Sequence, residues 1–403
     1  MKIIEGGVCA ARGFTASGIH CGIRKNRQKR DLALIVSQRR AAAAAVYTQN
    51  LVKGAPLLVT KENLADGYAQ AVICNSGNAN TCNADGVEIA RQMCALVEAS
   101  TGVSAGDVVV ASTGVIGQRL DISPISGGMA ALVAGLSADG AAAAEAIMTT
   151  DTMPKSCAVE FTLGGRTARL GGIAKGSGMI HPNMATMLVF LTTDAAITPG
   201  MLQRALSADV KTSFNRVSID GDTSTNDMCA VLANGMAENP EISAEGADYD
   251  AFCAALNAVT TALCRMIARD GEGATKLIEC SLTGARTQRA ADAVSKAVIC
   301  SSLVKAAMFG ADANWGRVLC AIGYAGEDVD VEKVDVAFSS AAGRVEVCRG
   351  GAGVPFSEET AKRVLLEEEV VIEVRLNDGD AAAVAWGCDL TYDYVRINGD
   401  YRT

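Results

Sequence analysis

Apolar positions recur along the chain with two different spacings, and segments of the two kinds alternate from one end to the other. The segment 86–100, GVEIARQMCALVEAS, has apolar residues three to four positions apart, which predicts an amphipathic helix. A turn and the β-branched run Val108–Val110 follow it, and a second helical pattern starts at Phe252 and ends at Asp270-Gly271. The later segments KVDVAFSS and VVIEVRL alternate as strands do. These patterns predict a mixed α/β fold.

Two alanine-rich stretches, Ala41–Val46 and Ala141–Met148, are interpreted as helix because alanine has the highest helix propensity. The polar stretch 285–293 follows the strand-like segment TKLIECSLTG and predicts a domain boundary. It would divide a larger domain, about residues 1–285, from a smaller C-terminal α/β subdomain of about residues 286–403. The expected architecture is a mixed α+β layered sandwich that carries this smaller subdomain.

Charge and apolar content exclude several classes of protein. The 403 residues carry a net charge of −9, which argues against a nucleic-acid-binding surface, and the basic segment RKNRQKR is interpreted as a solvated turn. Apolar runs break before the ~18 residues that a membrane span requires. Glu5 interrupts the apolar start of the chain, so we expect no signal peptide.

Cysteine and histidine usage indicates a cytoplasmic protein without a metal site. The fourteen cysteines are scattered and often end apolar runs, as at Cys74 and Cys300, so we expect reduced, buried thiols. The two histidines, His20 and His181, lie far apart in sequence, and no pair of cysteines has the spacing of a zinc knuckle.

The segment KGSGMIHPNMATMLVFLTTD, residues 175–194, changes from a polar loop to a β-prone apolar run at the Ala185-Thr186 junction. Its glycines do not fit a nucleotide-binding loop, because Lys175 precedes the Gly-Ser pair and His181 occupies the place of the last fingerprint glycine. A serine–histidine–aspartate triad would need a histidine base, and His181 is interpreted as a residue that holds the loop. Any nucleophile in this segment therefore needs another base.

Cleavage of the Ala185-Thr186 bond would supply such a base. The Thr186 hydroxyl could attack the Ala185 carbonyl, and the resulting ester would be hydrolysed by water. The α-amine released on Thr186, with an ordinary pKa of about 7.7 to 8, could then activate the hydroxyl of the same residue. A threonine at the start of a buried strand is also ordinary, so both interpretations stand at this point.

Two loops offer polar groups for acyl chemistry. The strand-like run 108–111 leads into Ser112-Thr113-Gly114, where a turn can aim the Gly114 N–H and the Thr113 hydroxyl at a developing oxyanion, although such turns are common at strand ends. The loop in 71–86 is rich in asparagine, and its amides either tie the loop or line a polar pocket.

Two later features complete the set of candidates. Glu272 lies between two glycines directly after a helix, as a surface charge or as a partner for a ligand ammonium. The chain ends TYDYVRINGDYRT, which we interpret as a strand-like tail that docks on the protein.

Further segments occur in a fixed order along the chain: CNSGNAN, STGVIG, TTDT, DGDTSTND, DGEGATK, FGADANWGR and NGDYRT. Together with KGSGMIHPNMATML, they resemble the ornithine acetyltransferase family of arginine biosynthesis over the whole chain. The family is also called the glutamate N-acetyltransferase or bifunctional arginine-biosynthesis family. Several long motifs in one order are far more specific than any short pattern.

The resemblance implies a fold of the aminopeptidase/ornithine-acetyltransferase type and self-cleavage before Thr186, which gives an α chain of residues 1–185 and a β chain of residues 186–403. Thr186 would take acetyl from N-acetyl-L-ornithine and pass it to L-glutamate in a ping-pong cycle, with acetyl-CoA as a further candidate donor. No cofactor or metal is implied. We expect a homo-oligomer of αβ heterodimers in the cytoplasm, without a nucleic-acid or membrane partner.

The family's site residues map onto this sequence position by position. Thr113 and Gly114 match its oxyanion-hole pair, and its substrate-binding positions match Thr152, Lys175, Thr186, Glu272, Asn398 and Thr403. The charges of two of these residues suit such a substrate independently of the family resemblance. Lys175 can meet the α-carboxylate that ornithine and glutamate share, and Glu272 can meet an ammonium group.

Two other functions are consistent with the same residues. A related self-processing aminopeptidase or amidase would share the nucleophile but release acyl groups to water. A non-catalytic protein would hold an acetylated amino acid without turnover and would leave the chain uncut.

Overall fold

The structure is a computed structural model that describes residues 1–181 and 187–399. Within those residues the chain forms two compact units. The first comprises residues 1–176, 187–215 and 223–263, and the second comprises residues 177–181, 216–222 and 264–399. Of the predicted site positions, Ala185, Thr186 and Thr403 lie outside the described residues.

The strands in the described part of the chain are β1 (Lys2–Ile4), β2 (Phe14–Ile19), β3 (Leu32–Tyr47), β4 (Tyr68–Asn75), β5 (Val108–Ser112), β6 (Lys155–Leu163), β7 (Arg166–Lys175), β8 (Leu188–Thr193), β9 (Val217–Ser218), β10 (Met228–Ala233), β11 (Leu277–Ala285), β12 (Asp335–Ser340), β13 (Gly343–Arg349), β14 (Ala352–Gly353), β15 (Glu369–Arg375) and β16 (Ala381–Cys388).

The α-helices there are α1 (Ala55–Asn63), α2 (Gly86–Thr101), α3 (Ser123–Ala134), α4 (Ala141–Ala146), α5 (Pro199–Thr212), α6 (Ala247–Arg269), α7 (Gln288–Cys300), α8 (Ser302–Phe309), α9 (Trp315–Gly323), α10 (Glu358–Leu365) and α11 (Tyr392–Gly399). The mixed α/β class that the sequence predicts is confirmed, as are α2, α6 and the strands β5, β12 and β15.

The first unit is built around a nine-stranded sheet in the order β1-β6-β7-β8-β10-β3-β4-β5, with β2 paired to β3. Strands β8 and β10 run parallel, as do β4 and β5, and the other pairs are antiparallel. Every residue of β8 and β10 is buried, which agrees with the apolar run that follows Thr186. Leu188, Phe190 and Met228 belong to one apolar core of this unit.

The prediction of helix for Ala41–Val46 is wrong, because these residues belong to the long strand β3. They pair with β10, so that Val46 lies opposite Cys229 and Ala43 lies opposite Leu232. The small side chains of the stretch are buried in the sheet, and packing there outweighs intrinsic helix propensity. The second alanine-rich stretch forms α4 as predicted.

The second unit has its own seven-stranded sheet in the order β14-β13-β12-β15-β11-β16-β9. Strand β11 runs parallel to β15 and antiparallel to β16, so β11 belongs to this sheet. For this reason the last segment of the unit starts at Cys264 rather than near residue 285. Its core includes Ile278, Val294, Phe338 and Ile372.

Helix α6 is the one described helix that is long and apolar enough to cross a membrane by length and composition, whereas the sequence analysis expects no such run. Half of its most apolar window is buried. Phe252, Leu256, Val259 and Leu263 expose no surface. Because a core helix has the same composition, burial within the protein accounts for its apolar character.

The C-terminal tail docks as predicted, because the Asn398 side chain donates to Glu272 and the Tyr394 hydroxyl donates to Asp220 at 3.3 Å, but the prediction that it is strand-like is wrong for the part that the structure describes. Residues 392–399 form α11, in which Tyr392 is 84% exposed and Val395 is 69% exposed. The Thr391 hydroxyl accepts a hydrogen bond from the Asp393 N–H at 3.2 Å, and Asp393 pairs with Arg396 one turn later. These local interactions favour a helical turn over a strand.

Candidate functional site

The turn after β5 brings the predicted oxyanion pair, Thr113 and Gly114, against the loop that follows β4. The Thr113 N–H donates to the Asn75 carbonyl at 2.9 Å. Gly114 has a φ of +126°, and a Cβ at this position would lie 2.7 Å from the carbonyl carbon of Gly77. A side chain at position 114 would therefore strain the backbone and collide with it. The role of the pair as an oxyanion hole stays a prediction.

The asparagines of this loop tie it together, which decides between the two interpretations of the sequence. The Asn78 side chain donates to the Gln118 carbonyl at 3.0 Å, and the Asn80 side chain donates to the Gly86 carbonyl at 2.8 Å. The Asn83 side chain also donates to the Gln118 carbonyl. The amides thus hold the loop that supports the Thr113-Gly114 turn.

Asn226, a residue that the sequence analysis missed, joins the same turn to the start of β10. Its side-chain nitrogen donates to the carbonyls of Ser112 at 2.9 Å and Ala79. Its side-chain oxygen accepts hydrogen bonds from Thr81 and Thr225. All the hydrogen-bonding groups of this buried amide are used, so its geometry is fixed.

The start of β8 lies between two elements that carry candidate residues. The Met228 N–H of β10 donates to the Met187 carbonyl at 2.8 Å, and on the other side β7 places Lys175 opposite Leu188. Met187 follows Thr186 in the chain. The first unit therefore gathers the Thr113-Gly114 turn and Lys175 near the residue that follows the predicted nucleophile.

Three buried charges lie at the end of β7. Asp151 Oδ1 accepts hydrogen bonds from Lys155 Nζ and from the Gly176 N–H, both at 2.7 Å. Lys175 Nζ lies 3.9 Å from Asp151 Oδ2, and that oxygen accepts the Thr149 N–H at 2.9 Å. Burial alone would raise the pKa of Asp151, but Lys175 and Lys155 outweigh it and hold that pKa well below the ordinary value. Asp151 is therefore ionised at neutral pH.

Lys175 differs from Lys155 in how its ammonium group is engaged. Lys155 is fully buried and directly bonded to the carboxylate. Lys175 is 7% exposed, and its Nζ makes no hydrogen bond to any residue within 1–181 or 187–399. Burying an ammonium whose N–H groups have no acceptor costs free energy, unless a ligand accepts their hydrogen bonds. The predicted substrate residue Thr152 follows Asp151 and is exposed, and its role stays a prediction.

Asp227, directly before β10, is a second buried carboxyl in the first unit. Its Oδ2 has no hydrogen-bond partner among the residues that the structure describes. Burial raises its pKa well above the ordinary value, and the opposing effects of the Ser224 hydroxyl and the Lys175 charge do not offset this. The carboxyl therefore favours its protonated form.

The second unit holds two predicted substrate residues, Glu272 and Asn398, in direct contact. The Asn398 side chain donates to Glu272 Oε2 at 2.7 Å. The Glu272 N–H donates to the Ser177 carbonyl at 2.8 Å, and a Cβ at Gly178 would lie 2.4 Å from the Glu272 carboxyl carbon. Glu272 is 7% exposed, so its carboxylate is nearly enclosed. This arrangement excludes the interpretation of Glu272 as a solvated surface charge.

His181 is held in the same unit by its neighbours. Its Nδ1 lies 3.1 Å from the Ser218 hydroxyl and 3.6 Å from the Cys300 thiol. Burial, aided by the charge of Lys296, lowers the pKa of His181 to about 4. The ring is therefore neutral at pH 7. Nearby, Asp220 accepts the backbone N–H groups of Met179 and Ile180, which fixes the loop before His181.

Sequence reasoning misses Asp151, Lys155, Asn226 and Asp227 for different reasons. Asp151, Asn226 and Asp227 lie inside the motifs TTDT and DGDTSTND, so attention to the acidic and amide members of these motifs could have found them. Lys155 has no signal of this kind, because nothing in the sequence shows that its ammonium is buried. Among the described residues, no group of three or more histidine, cysteine, aspartate or glutamate side chains could hold a metal ion.

Comparisons with known proteins assign the chain to a class. The model of the ArgJ family matches residues 15–403. The "Arginine biosynthesis bifunctional protein ArgJ" of Symbiobacterium thermophilum is 52% identical over 406 residues, and the alignment covers all of both chains. The protein of the same description from Geobacillus kaustophilus is 48% identical over 404 residues and covers 100% of this chain and 97% of the relative.

A crystal structure of the arginine biosynthesis bifunctional protein argJ from Bacillus halodurans is 49% identical, with a TM-score of 0.49, over 52% of this chain and 96% of that chain. The sequence relatives define the class as an acyltransferase of arginine biosynthesis, which confirms the predicted enzyme class. The chain belongs to the ArgJ family.

Proposed function

We propose that this protein transfers an acetyl group from N-acetyl-L-ornithine to L-glutamate through an acetyl ester on Thr186. The precursor first cuts its own Ala185-Thr186 bond, which gives an α chain of residues 1–185 and a β chain of residues 186–403. The product of the transfer, N-acetylglutamate, returns the acetyl group to arginine biosynthesis.

The proposed cycle has two acyl-transfer steps. In the first, the Thr186 α-amine accepts the hydroxyl proton, Oγ1 attacks the acetyl carbonyl, and the amide C–N bond breaks as ornithine leaves with the proton. In the second, the amine of glutamate attacks the ester carbonyl, and the C–O bond to Thr186 breaks. The Thr186 oxygen regains a proton. Thr113 and Gly114 stabilise the oxyanion in both steps.

The observation that carries the proposal is the set of groups around Met187 in the first unit. Met187 is hydrogen-bonded to Met228, the first residue of β10, and Asn226, two residues before that strand, holds the Thr113-Gly114 turn through the Ser112 carbonyl. Lys175 presents a nearly buried ammonium at the neighbouring strand end. Such a cation suits the α-carboxylate that both substrates share. Oxyanion donors beside a carboxylate receptor fit acyl transfer between amino acids.

We further propose that Glu272 and Asn398 bind an ammonium group of ornithine. The Glu272 carboxylate is nearly enclosed, and the Asn398 amide orients it. We expect Glu272→Gln to weaken N-acetylornithine-dependent transfer more than it slows acetylation of Thr186 by a neutral activated ester such as 4-nitrophenyl acetate. Equal losses in the two assays would reject this role, and Glu346→Gln, at a partly exposed position on β13 of the second unit, is the matched control.

Acetate release and acetylglutamate formation separate the proposal from its rivals. The purified protein is incubated with N-acetyl-L-ornithine, with and without L-glutamate. We expect N-acetylglutamate to accumulate only when glutamate is present, with little free acetate. Acetate release that glutamate does not affect would favour an aminopeptidase or amidase, and binding without turnover would favour a non-catalytic protein.

The proposal also covers the choice of acetyl donor, the oligomeric state and the cellular location. Comparing acetylglutamate formation from acetyl-CoA and from N-acetylornithine tests acetyl-CoA as a second donor. We also propose a homo-oligomer of αβ heterodimers, which light scattering can measure. The fourteen free cysteines favour a cytoplasmic location, because reduced thiols persist there.

A further inference from the structure

Lys155 and Lys175 share one buried carboxylate, Asp151, at the end of β7. Lys155 and Lys175 are two cations, and Asp151 is the one carboxylate that forms an ion pair with them among the described residues. Asp227, the other buried carboxyl whose charge would interact with Lys175, favours its neutral form. The Lys175 ammonium therefore has no hydrogen-bonded anion among the described residues, and a nearly buried ammonium in that state is destabilised.

Asp151 does not engage the two lysines equally. Asp151 binds Lys155 Nζ at 2.7 Å, whereas its distance to Lys175 Nζ is 3.9 Å. The first distance is that of a charge-assisted hydrogen bond, and the second is too long for one. Asp151 is also held by the N–H groups of Thr149 and Gly176, so its carboxylate is fixed in this orientation.

We propose that Lys155 is a positioning residue for substrate binding: it occupies Asp151 and so leaves the Lys175 ammonium free to receive the substrate carboxylate. Lys155 is fully buried, so in this proposal it acts through Asp151 and Lys175 and not by direct contact with the substrate. The inference rests on the proposed role of Lys175. Without Lys155, Asp151 and the substrate carboxylate would compete for one cation.

This competition predicts a specific effect on KM when the charge of Lys155 is removed. In Lys155→Met, we expect the Lys175 side chain to close the gap to Asp151 and form a direct ion pair. The KM values for N-acetylornithine and for glutamate then rise about tenfold or more, because a substrate carboxylate must displace a charge-assisted hydrogen bond. Acetylation of Thr186 by 4-nitrophenyl acetate, which has no carboxylate, stays within about twofold of the wild-type rate.

The double variant Lys155→Met with Asp151→Asn supplies the decisive comparison. The amide keeps an acceptor for the Gly176 N–H but has no charge with which to hold Lys175. We expect both KM values to return to within about threefold of wild type, since the competing anion is gone. A merely structural role for Lys155 predicts the opposite, because the second substitution would then add to the damage.

The test compares wild type, Lys155→Met and the double variant as purified, processed proteins in both assays. Recovery of KM in the double variant supports the inference, and a KM that is unchanged in Lys155→Met or no better in the double variant overturns it. If Lys155→Met does not yield folded protein, Lys155→Gln removes the same charge and has the same expected outcomes. Failure of the wild type to transfer acetyl between the two amino acids would instead reject the proposed function.

Discussion

The charge cluster at the end of β7 and the outer charges of the second sheet show two different uses of ion pairs. On the second sheet, Arg344 donates to Glu373 at 2.8 Å and Arg349 donates to Glu346 at 2.7 Å, so the charges are paired one to one at partly exposed positions. At the end of β7 two lysines lie around one buried carboxylate, and the Lys175 ammonium makes no hydrogen bond to a described residue. Charges paired in solvent contribute little to stability, whereas a nearly buried ammonium without a hydrogen bond is destabilising and suits a ligand of opposite charge.

The largest expected effect is on stability, when the carboxylate of the buried cluster is removed. Asp151→Ala leaves two buried ammonium groups without their common partner, and we expect the free energy of unfolding to fall by about 3–5 kcal/mol. Urea unfolding measures this change. The control is Glu346→Ala on the second sheet, which we expect to leave the unfolding midpoint unchanged. Equal effects of the two substitutions would remove the distinction between the regions.

A smaller effect, on substrate binding, is expected when the Lys175 ammonium of the same cluster is removed. Lys175→Met should raise the KM values for N-acetylornithine and glutamate about 10- to 100-fold, since hydrogen bonds to charged groups contribute roughly 1.5–3 kcal/mol. Stability should not fall, because the lost ammonium makes no hydrogen bond to a described residue. Steady-state kinetics and urea unfolding check both points, with the exposed Lys333→Met as control. A large loss of stability with unchanged KM would assign Lys175 a structural role.

The buried carboxyl of Asp227 extends the comparison of buried and exposed charges to the pH dependence of stability. Because burial raises its folded pKa above the unfolded value, the folded protein retains a proton that the unfolded chain releases as pH rises above about 4. Stability is therefore lost with rising pH at this site. We expect Asp227→Asn to be more stable than wild type at pH 7, with the difference vanishing below about pH 4. Urea unfolding across this range would contradict the account if the difference did not depend on pH.

The smallest effect is expected on the second sheet. A double-mutant cycle of Arg344→Ala and Glu373→Ala should give a coupling of less than about 1 kcal/mol, because solvent screens the pair and ordering the side chains costs entropy. High salt should reduce it further. A coupling free energy as large as the loss of stability in Asp151→Ala would show that solvent exposure does not explain the difference between the two regions.

Local pattern predicts some elements of this fold well and others poorly. Helix α2 and strand β8 follow from periodicity and from a β-branched, apolar run. The alanines of β3 and the tail that forms α11 do not, because packing decides the first and a local cap decides the second. The parallel pairing of β8 with β10, which places Asp227 beside Met187, depends on contacts distant in sequence.

The candidate site likewise contains residues that the sequence identifies and residues that it does not. The residues of the turn, Thr113 and Gly114, can be named from the sequence, and the φ of Gly114 agrees with a position that requires glycine. The supporting residue Lys155 cannot be assigned from the sequence, because its importance comes from burial and from its contact with Asp151. Asn226 lies inside a motif, but its hydrogen bond to the Thr113-Gly114 turn is visible only in the structure. Roles that depend on Thr186 stay predictions.

Mass spectrometry of the purified protein before and after exposure to isotopically labelled N-acetyl-L-ornithine tests the central claim most directly. We expect two fragments that divide at Ala185-Thr186, and a labelled acetyl group on the first residue of the fragment 186–403. The Thr186→Ala variant should be a single uncut chain without label. An uncut wild-type chain that still transfers acetyl, or a label on any other residue, would contradict the account.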